Sequence, residues 1–390
     1  MTSDQRIDTI KQLLSIESTA HNPTGLREAY NFMLKFVQAS GKDITIEEFH
    51  SGGKPSFLAY KGQDRPTQFH LILNGHIDVV PGKPEQYQPF VRDGKLYGRG
   101  VYDMKAASVV MAEVFCKYVD TVPFALGLQI VTDEESAGTH GTLYQVQQGV
   151  RSDFVICGEC GRASNVYEIA NSAKGVVMAE LGFNGRSAHG AYPWKGNNAA
   201  AQAYRFVHAL HERYPVPTSP TEDTTATVTS LIADSDAPNK IPDGATVKLD
   251  IRYKPGDPHF SNKAAFESLI KSLDPDAHVK GYYDFASPLY TDPNDPQLLQ
   301  LKAAAETVEG HEFQFVQRNA TSDGRYYGNV GNQACEFGIA GEHQHADGEH
   351  ITLQALEDYQ QTLRTFLDLQ MEGVESRPEH DESLAFAAVS

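Results

Sequence analysis

Cysteine is scarce in this chain. Cys116, Cys157, Cys160 and Cys335 are the four among 390 residues, too few for a disulfide framework in a protein this long. Cys157 and Cys160 have CxxC spacing, but no second pair exists to complete a zinc knuckle and no redox-type helix follows directly. Ordinary buried thiols are expected there. Positive charge is also short: 33 Lys and Arg stand against 51 Asp and Glu, for a net charge of -18. That balance argues against nucleic-acid binding, which needs a basic patch, and is mainly a matter of solubility. Long apolar runs are missing. The longest are strand-sized, as in 124–131, so no membrane association is expected. Residues 1–15 read as the start of an amphipathic helix without the basic start and apolar stretch of a secretory signal, which points to the cytoplasm. No Gly-x-Ser-x-Gly elbow occurs, which weighs against a serine hydrolase. There is no internal repeat and no low-complexity linker.

What is present alternates. Helix is expected over 7–37 with a break near Pro23-Thr24-Gly25, strand over 68–73 ending at Asn74-Gly75, and helix over 105–118. Strand over 124–132, helix over 139–148 capped by Thr139 and stopped by Gly149, and strand over 154–157 follow. This rhythm predicts a doubly wound α/β domain with a largely parallel sheet. From about Lys174 the order becomes strand 176–183, helix 198–212, strands 225–232 and 245–253, helix 261–273 and strand 278–285. That β-α-β-β-α-β order is the split arrangement of a ferredoxin-like α+β sandwich. Segments 295–309, 313–316 and 353–369 resume the first rhythm. The expected organisation is a discontinuous α/β domain, 1–173 with 286–371, interrupted by a smaller domain, 174–285. Residues 372–390, polar, acidic and without period, are expected to form a flexible tail.

The chemistry-bearing residues cluster where strands of the first domain end, which is where a doubly wound sheet places its active site. In His76-Ile77-Asp78, residues two apart share a face, so His76 can bind a metal while Asp78 orients its imidazole. In Gly98-Arg99-Gly100-Val101-Tyr102-Asp103, a dinucleotide loop would need glycine where Asp103 stands. The glycines instead let the backbone place an acid tightly at the entry to a helix. Asp133-Glu134-Glu135 ends a buried apolar strand, and adjacent acids there repel one another unless a cation sits among them. One can ligate while its neighbour reaches a metal-activated water. Glu159 follows the next strand. His343, His345 and His350 lie within eight residues, and spacing alone does not choose among them. Imidazoles and carboxylates with almost no thiolate suit Zn²⁺, Co²⁺ or Mn²⁺ in a pair bridged by one carboxylate.

On these residues the chain resembles the M20 family of metallopeptidases and deacylases over about residues 7–369. The motifs that carry the resemblance are Gly75-His76-Ile77-Asp78, Gly98 to Lys105, Asp133-Glu134-Glu135, Gly158-Glu159, Ser187-Ala188-His189, and His345 followed four residues later by Glu349. The resemblance implies a doubly wound, phosphorylase/hydrolase-like catalytic domain with two Zn²⁺ (Co²⁺ or Mn²⁺ in their place). The inserted ferredoxin-like domain would act as a lid and dimerisation domain. His76, Asp103 and Glu159 would hold one metal. Asp103, Glu135 and His345 would hold the other, with Asp103 bridging. Glu134 would be the general base and Asp78 the partner of His76. The Asp103–Met104 peptide bond would be cis. His343 and His350 would then be solvent-facing or outer groups. In the inserted domain, His189 resembles a histidine that reaches the partner subunit's active site in a homodimer. Asn239, in Asn239-Lys240-Ile241-Pro242, and Arg252 resemble substrate contacts, a guanidinium being suited to gripping a carboxylate. Thr321, in Thr321-Ser322-Asp323-Gly324-Arg325, resembles part of a substrate-side loop.

The implied activity is hydrolysis of an amide bond in a small carboxylate-bearing substrate, with an N-acyl-amino acid deacylase of the acetylornithine deacetylase kind favoured. The alternatives are a dipeptidase or carboxypeptidase of the same family, or a non-catalytic metal-dependent binding protein. Three positions depart from common family patterns. Cys160 stands where many relatives have proline. Ala173 and Gly341 stand where succinyl-diaminopimelate desuccinylases have an arginine-rich segment and an asparagine.

Overall fold

A computed structural model of the protein describes residues 1–160, 162–233 and 235–375, with side chains to 373. Two compact units account for it: Met1–Ile169 with Asp292–Gln314 and the described part of the chain from Glu336 onward, and Ala170–Thr291 with Phe315–Cys335.

The first unit is organised by the strand Phe69–His76, whose residues are nearly all buried. Burial at successive positions, without alternation, is what an interior strand covered on both faces shows. It pairs in parallel with Leu126–Val131 on one side and Ser152–Cys157 on the other. Antiparallel strands Lys54–Lys61 and Ile44–Ser51 extend the Leu126–Val131 side. The helix Lys105–Tyr118 is buried around most of its circumference, as its near-continuous apolar sequence demands. It packs on Phe69–His76 and against the helices Ser3–Leu14 and Leu353–Glu375. A buried polar ladder crosses the strands. Asn74 Nδ2 donates to Gln129 Oε1 (2.7 Å), Gln129 Nε2 to Gln145 Oε1 (2.9 Å), and Gln145 Nε2 to Ser56 Oγ (2.9 Å). Such a connected network tolerates no register slip, because a slip would strand buried amides. A small antiparallel sheet of Gly341–Glu342, His350–Thr352, Lys95–Tyr97 and Phe90–Arg92 anchors both ends of the 343–349 loop.

The second unit contains a four-stranded antiparallel sheet in the order Thr225–Ile232, Gly244–Tyr253, Gly175–Asn184, Ala277–Ala286. The helices Ala199–Arg213 and Lys263–Leu273 share a core with it built on Phe183, Phe206, Val247, Ile251, Phe266 and Leu269. Burial alternates strictly along Gly244–Tyr253, the signature of a sheet with one covered face. This is the split β-α-β-β-α-β sandwich expected from the element order.

Several boundaries differ from the sequence reading. The strand expected to stop at Leu73 continues through His76. The parallel register with Leu126–Val131 runs that far, and Ile77 N–H still donates to Val131 O at 3.0 Å. Pro23 does not break a helix but opens one: it is the first residue of Pro23–Gln38, capped by Asn22. The expected 139–148 helix is shorter, Thr142–Gln147, and Thr139 does not cap it; Gly141 holds that position. Strands Ile44–Ser51 and Lys54–Lys61 were not foreseen. The last helix, Leu353–Glu375, runs past the expected start of the tail at 372, and 376–390 lie outside the described residues. Residues 315–335 group with the second unit. The bonds are specific: Lys174 N–H donates to Arg318 O (2.9 Å), Gln317 Nε2 to Glu222 O (2.8 Å) and Ala334 N–H to the Thr291 hydroxyl (3.0 Å).

Candidate metal centre

The site is assembled in the first unit from strand ends and the loops that follow them. His76 closes the central strand, Asp103 precedes the Lys105–Tyr118 helix, and Glu134 and Glu135 form a single 3-10 turn after Leu126–Val131. Glu159 follows Ser152–Cys157, and His345 sits in the loop held by the small sheet. One close approach demands glycine and a second favours it. Gly100 has φ +81°, and a Cβ there would stand 2.5 Å from Val79 Cγ1. A Cβ on Gly158 would stand 2.6 Å from Met104 Cε. The backbone can thus press Asp103 and Glu159 inward. The Asp103–Met104 peptide bond is cis.

Asp103 is the hub. Its Oδ1 lies 3.0 Å from His76 Nε2 and its Oδ2 lies 3.1 Å from His345 Nε2. Glu159 Oε1 is 3.7 Å from His76 Nε2, and Glu135 Oε1 is 3.1 Å from His345 Nε2. One carboxylate therefore faces two imidazoles with its two oxygens, and each imidazole has a further carboxylate beside it. The groups His76–Asp103–Glu135, His76–Glu134–Glu159 and Asp103–Glu159–Cys160 each bring one ligand atom per residue within 4.8 Å of the others. Two ions sharing Asp103 fit a donor set of two imidazoles and three carboxylates, His76, His345, Asp103, Glu135 and Glu159. One would sit with His76 and Glu159, the other with Glu135 and His345.

Asp78 serves the cluster differently from the sequence reading. His76 Nδ1 bonds to the backbone carbonyl of Asp78 at 3.0 Å, and the nearer carboxylate oxygen stands at 3.6 Å. That carboxylate instead accepts from the backbone N–H groups of Glu134 (3.2 Å) and Glu135 (3.1 Å). Asp78 so orients the ring and holds the acidic turn at once.

The electrostatics follow from crowding acids in a dry place. Burial, with Glu134 and Asp103 nearby, raises the Glu159 carboxyl well above its usual range. Burial pulls on His76 in the opposite sense, yet Asp103, Asp78 and Glu159 outweigh it and raise the imidazole. For Asp103 burial is likewise overcome: hydrogen bonds from His345 and His76 hold it well below the usual carboxylate range. Asp103 and Glu135 lift His345 to about 10. Like-charged acids that perturb one another this way are the arrangement a cation relieves.

Some residues of this network carried no role in the sequence reading. Glu349 is buried, accepts from Arg99 Nη1 at 2.6 Å and from the backbone N–H groups of Tyr102 (3.0 Å) and Asp103 (3.2 Å). Gln344 Nε2 donates to Asp103 Oδ2 at 2.8 Å. Lys105 is fully buried, donates to the carbonyls of Leu13 (3.1 Å) and Ile16 (2.7 Å), and is pulled down to about 7 by burial. The position of Glu349 four residues after His345 was the available signal; its contacts reach 246 to 250 residues along the chain and have no local signature. Geometry separates the three histidines. His345 meets the acids, whereas His350 Nδ1 bonds to Gly348 O at 2.8 Å and His343 is exposed.

The remaining expected site residues lie in the second unit. His189 is exposed, accepts at Nδ1 from Ala191 N–H (3.0 Å) and has Asn239 Nδ2 3.4 Å from its Nε2. Arg252 is in a bidentate ion pair with Asp250, at 2.7 and 3.2 Å. Thr321 Oγ1 is buried without a hydrogen-bond partner among the described residues.

Comparison with known proteins identifies the family. Residues 72–369 match the model for peptidase family M20/M25/M40. A succinyl-diaminopimelate desuccinylase from Azoarcus sp. (strain BH72) is 29% identical over 347 residues, covering 83% of this chain and 89% of the relative. Among solved structures, aminopeptidase PepT from Bacillus cereus ATCC 10987 superimposes with a TM-score of 0.75 at 17% identity, covering 94% of this chain and 98% of that one. A dinuclear metal binding peptidase of the M20 family from Bacillus subtilis does so with a TM-score of 0.66 at 13% identity, covering 95% and 98%. No helix among the described residues is long and apolar enough to cross a membrane. This chain belongs to peptidase family M20/M25/M40 and is a metallohydrolase of amide or peptide bonds.

Proposed function

We propose that the protein is an N-acyl-amino acid deacylase whose metal pair, two Zn²⁺ in the first instance, is held by His76, Asp103 and Glu159 and by Asp103, Glu135 and His345. The observation that carries the reading is Asp103, whose two oxygens face two imidazoles at 3.0 and 3.1 Å. A bound metal pair supplies Lewis acidity, acidifying a water and polarising the amide carbonyl. Glu134, in one group with His76 and Glu159, accepts the proton of the attacking water and passes it to the leaving amine. Asp78 keeps Glu134 aimed by binding its backbone N–H. The second unit acts as lid and dimerisation domain of a cytoplasmic homodimer. His189 offers Nε2–H to the developing oxyanion in the partner subunit, with Asn239 beside it. Arg252 receives the substrate carboxylate in exchange for Asp250, and Thr321 supplies a hydroxyl to the substrate.

The acyl group is narrowed by one position. A Cβ on Gly341 would lie 2.5 Å from the Tyr102 ring and 2.8 Å from His350 O, so an asparagine of the desuccinylase kind has no room there. A small acyl group such as acetyl is favoured, although the named relatives are desuccinylases. A side-by-side panel of N-acetyl- and N-succinyl-amino acids and dipeptides, with the metal content measured, tests this. Fastest turnover on acetyl substrates supports the reading. Preference for succinyl substrates or for dipeptides refutes the acyl assignment, and no hydrolysis by protein with two metals bound makes it a binding protein.

A further inference from the structure

Cys160 follows Glu159 directly and is nearly buried, at 8% exposure. Its Sγ belongs to one group with a carboxylate oxygen of Asp103 and one of Glu159, all within 4.8 Å of one another. Two donors on one ion stand no farther apart than the sum of their bond lengths, ~4.4 Å for a sulfur at ~2.3 Å and an oxygen at ~2.1 Å. The thiol thus lies beside the two carboxylates, and sharing an ion with them requires a shift of no more than a few tenths of an ångström. The other cysteines are not in such a group among the described residues. Two close approaches fix the turn that carries it. A Cβ on Gly338 would stand 2.3 Å from the Glu159 carbonyl oxygen, and one on Gly158 would meet Met104 and Met111.

We propose that Cys160 is a thiolate ligand of the ion held by His76, Asp103 and Glu159, so that one of the two metal positions has a sulfur donor and the other has none. The inference rests on the metal-pair reading of the site. On ligation the sulfur–metal bond forms as the S–H proton leaves to solvent, with no change of oxidation state. The two positions then differ in softness. The Cys160 position favours Zn²⁺, Co²⁺ or Cd²⁺, whereas the Glu135–His345 position, with oxygen and nitrogen donors, accepts Mn²⁺. The asymmetry gives the pair a preferred loading: a thiophilic ion beside Cys160 and a harder ion beside His345.

Cobalt spectroscopy on full-length protein, stripped of metal and reloaded with Co²⁺, tests this. Wild type is expected to show visible d–d bands together with a near-ultraviolet sulfur-to-cobalt charge-transfer band. Cys160→Ser and Cys160→Ala are expected to keep the d–d bands and lose the charge-transfer band, while Cys157→Ser keeps both. Wild-type d–d bands without charge transfer, or a charge-transfer band that survives in Cys160→Ser, overturns the thiolate and leaves the metal pair standing. Failure of wild type to bind cobalt at all overturns the metal pair and the thiolate together. As a second readout, Cd²⁺ is expected to be lost from Cys160→Ser more readily than from wild type while Mn²⁺ retention is equal. Equal Cd²⁺ retention counts against the proposal.

Discussion

Replacing Glu349 by alanine would show how firmly the site is tied to the fold. Glu349 is 2% exposed and its partner Arg99 3%. Alanine would leave a guanidinium, held now at 2.6 Å, and the N–H groups of Tyr102 and Asp103 without their acceptor. Removing one member of a buried ion pair costs about 3–5 kcal/mol, because the remaining charge stays desolvated. Each orphaned N–H adds about 1–3 kcal/mol, though these contributions overlap and do not sum. The expected loss is therefore about 3–5 kcal/mol, read as a lowered urea midpoint of metal-free protein at unchanged m-value. Glu349→Gln retains one carbonyl acceptor and the side-chain shape, so its loss should be smaller. The pair of changes Arg99→Met and Glu349→Leu, which removes both charges and fills the space, should recover much of the stability lost in Glu349→Ala. A loss below about 1 kcal/mol for Glu349→Ala would refute the reasoning, since that is no more than an average point substitution costs.

Other expectations can be tested separately. Glu134→Gln should keep its metal, by elemental analysis, and lose roughly 10²- to 10⁴-fold in kcat; near wild-type turnover of metal-loaded variant would remove Glu134 from the base role. Gly341→Ala should cost about 1–3 kcal/mol by thermal unfolding, because the Tyr102 ring 2.5 Å from the new Cβ must move. Burial pushes the Cys116 thiol from its ordinary 9.0 up to about 11. The folded chain then keeps this proton at pH values where the unfolded chain has lost it. The stabilising contribution is complete below pH about 9 and declines as pH rises toward about 11. Alkylation of Cys116 at pH 8 should accordingly run roughly 100-fold slower than that of an unperturbed thiol and accelerate with pH; a free-thiol rate there would contradict the burial.

Much of this site was legible in the chain because its parts sit on short, strongly patterned segments. The apolar run before Asp133-Glu134-Glu135 marks a buried strand, and acids at its end are out of place without a cation. The Gly100 turn before Asp103 is a local steric requirement. The inserted sandwich was legible for a similar reason: Gly244–Tyr253 alternates and Ala199–Arg213 has a capping asparagine and one apolar face. The strands Ile44–Ser51 and Lys54–Lys61 escaped notice because the first is hardly buried and presents polar residues along its length. An edge hairpin of this kind is defined by its pairing partner. Spacing of two residues permits either the carboxylate or the carbonyl of Asp78 to meet His76, and only the fold of the 134–135 turn draws the carboxylate away.

The amino-acid sequence by itself determined the two sheet types, the acids and imidazoles available, and the glycines that let the backbone approach them. These depend on residue periodicity, on residue type and on the backbone freedom of glycine itself. Only the tertiary structure decided that Glu349 and Arg99 lock the backbone at Asp103, and that Cys160 lies beside the carboxylates of Asp103 and Glu159. Those contacts join segments up to 250 residues apart. Their partners are selected by three-dimensional packing and by the cost of leaving buried polar groups unpaired, and neither leaves a mark on local sequence.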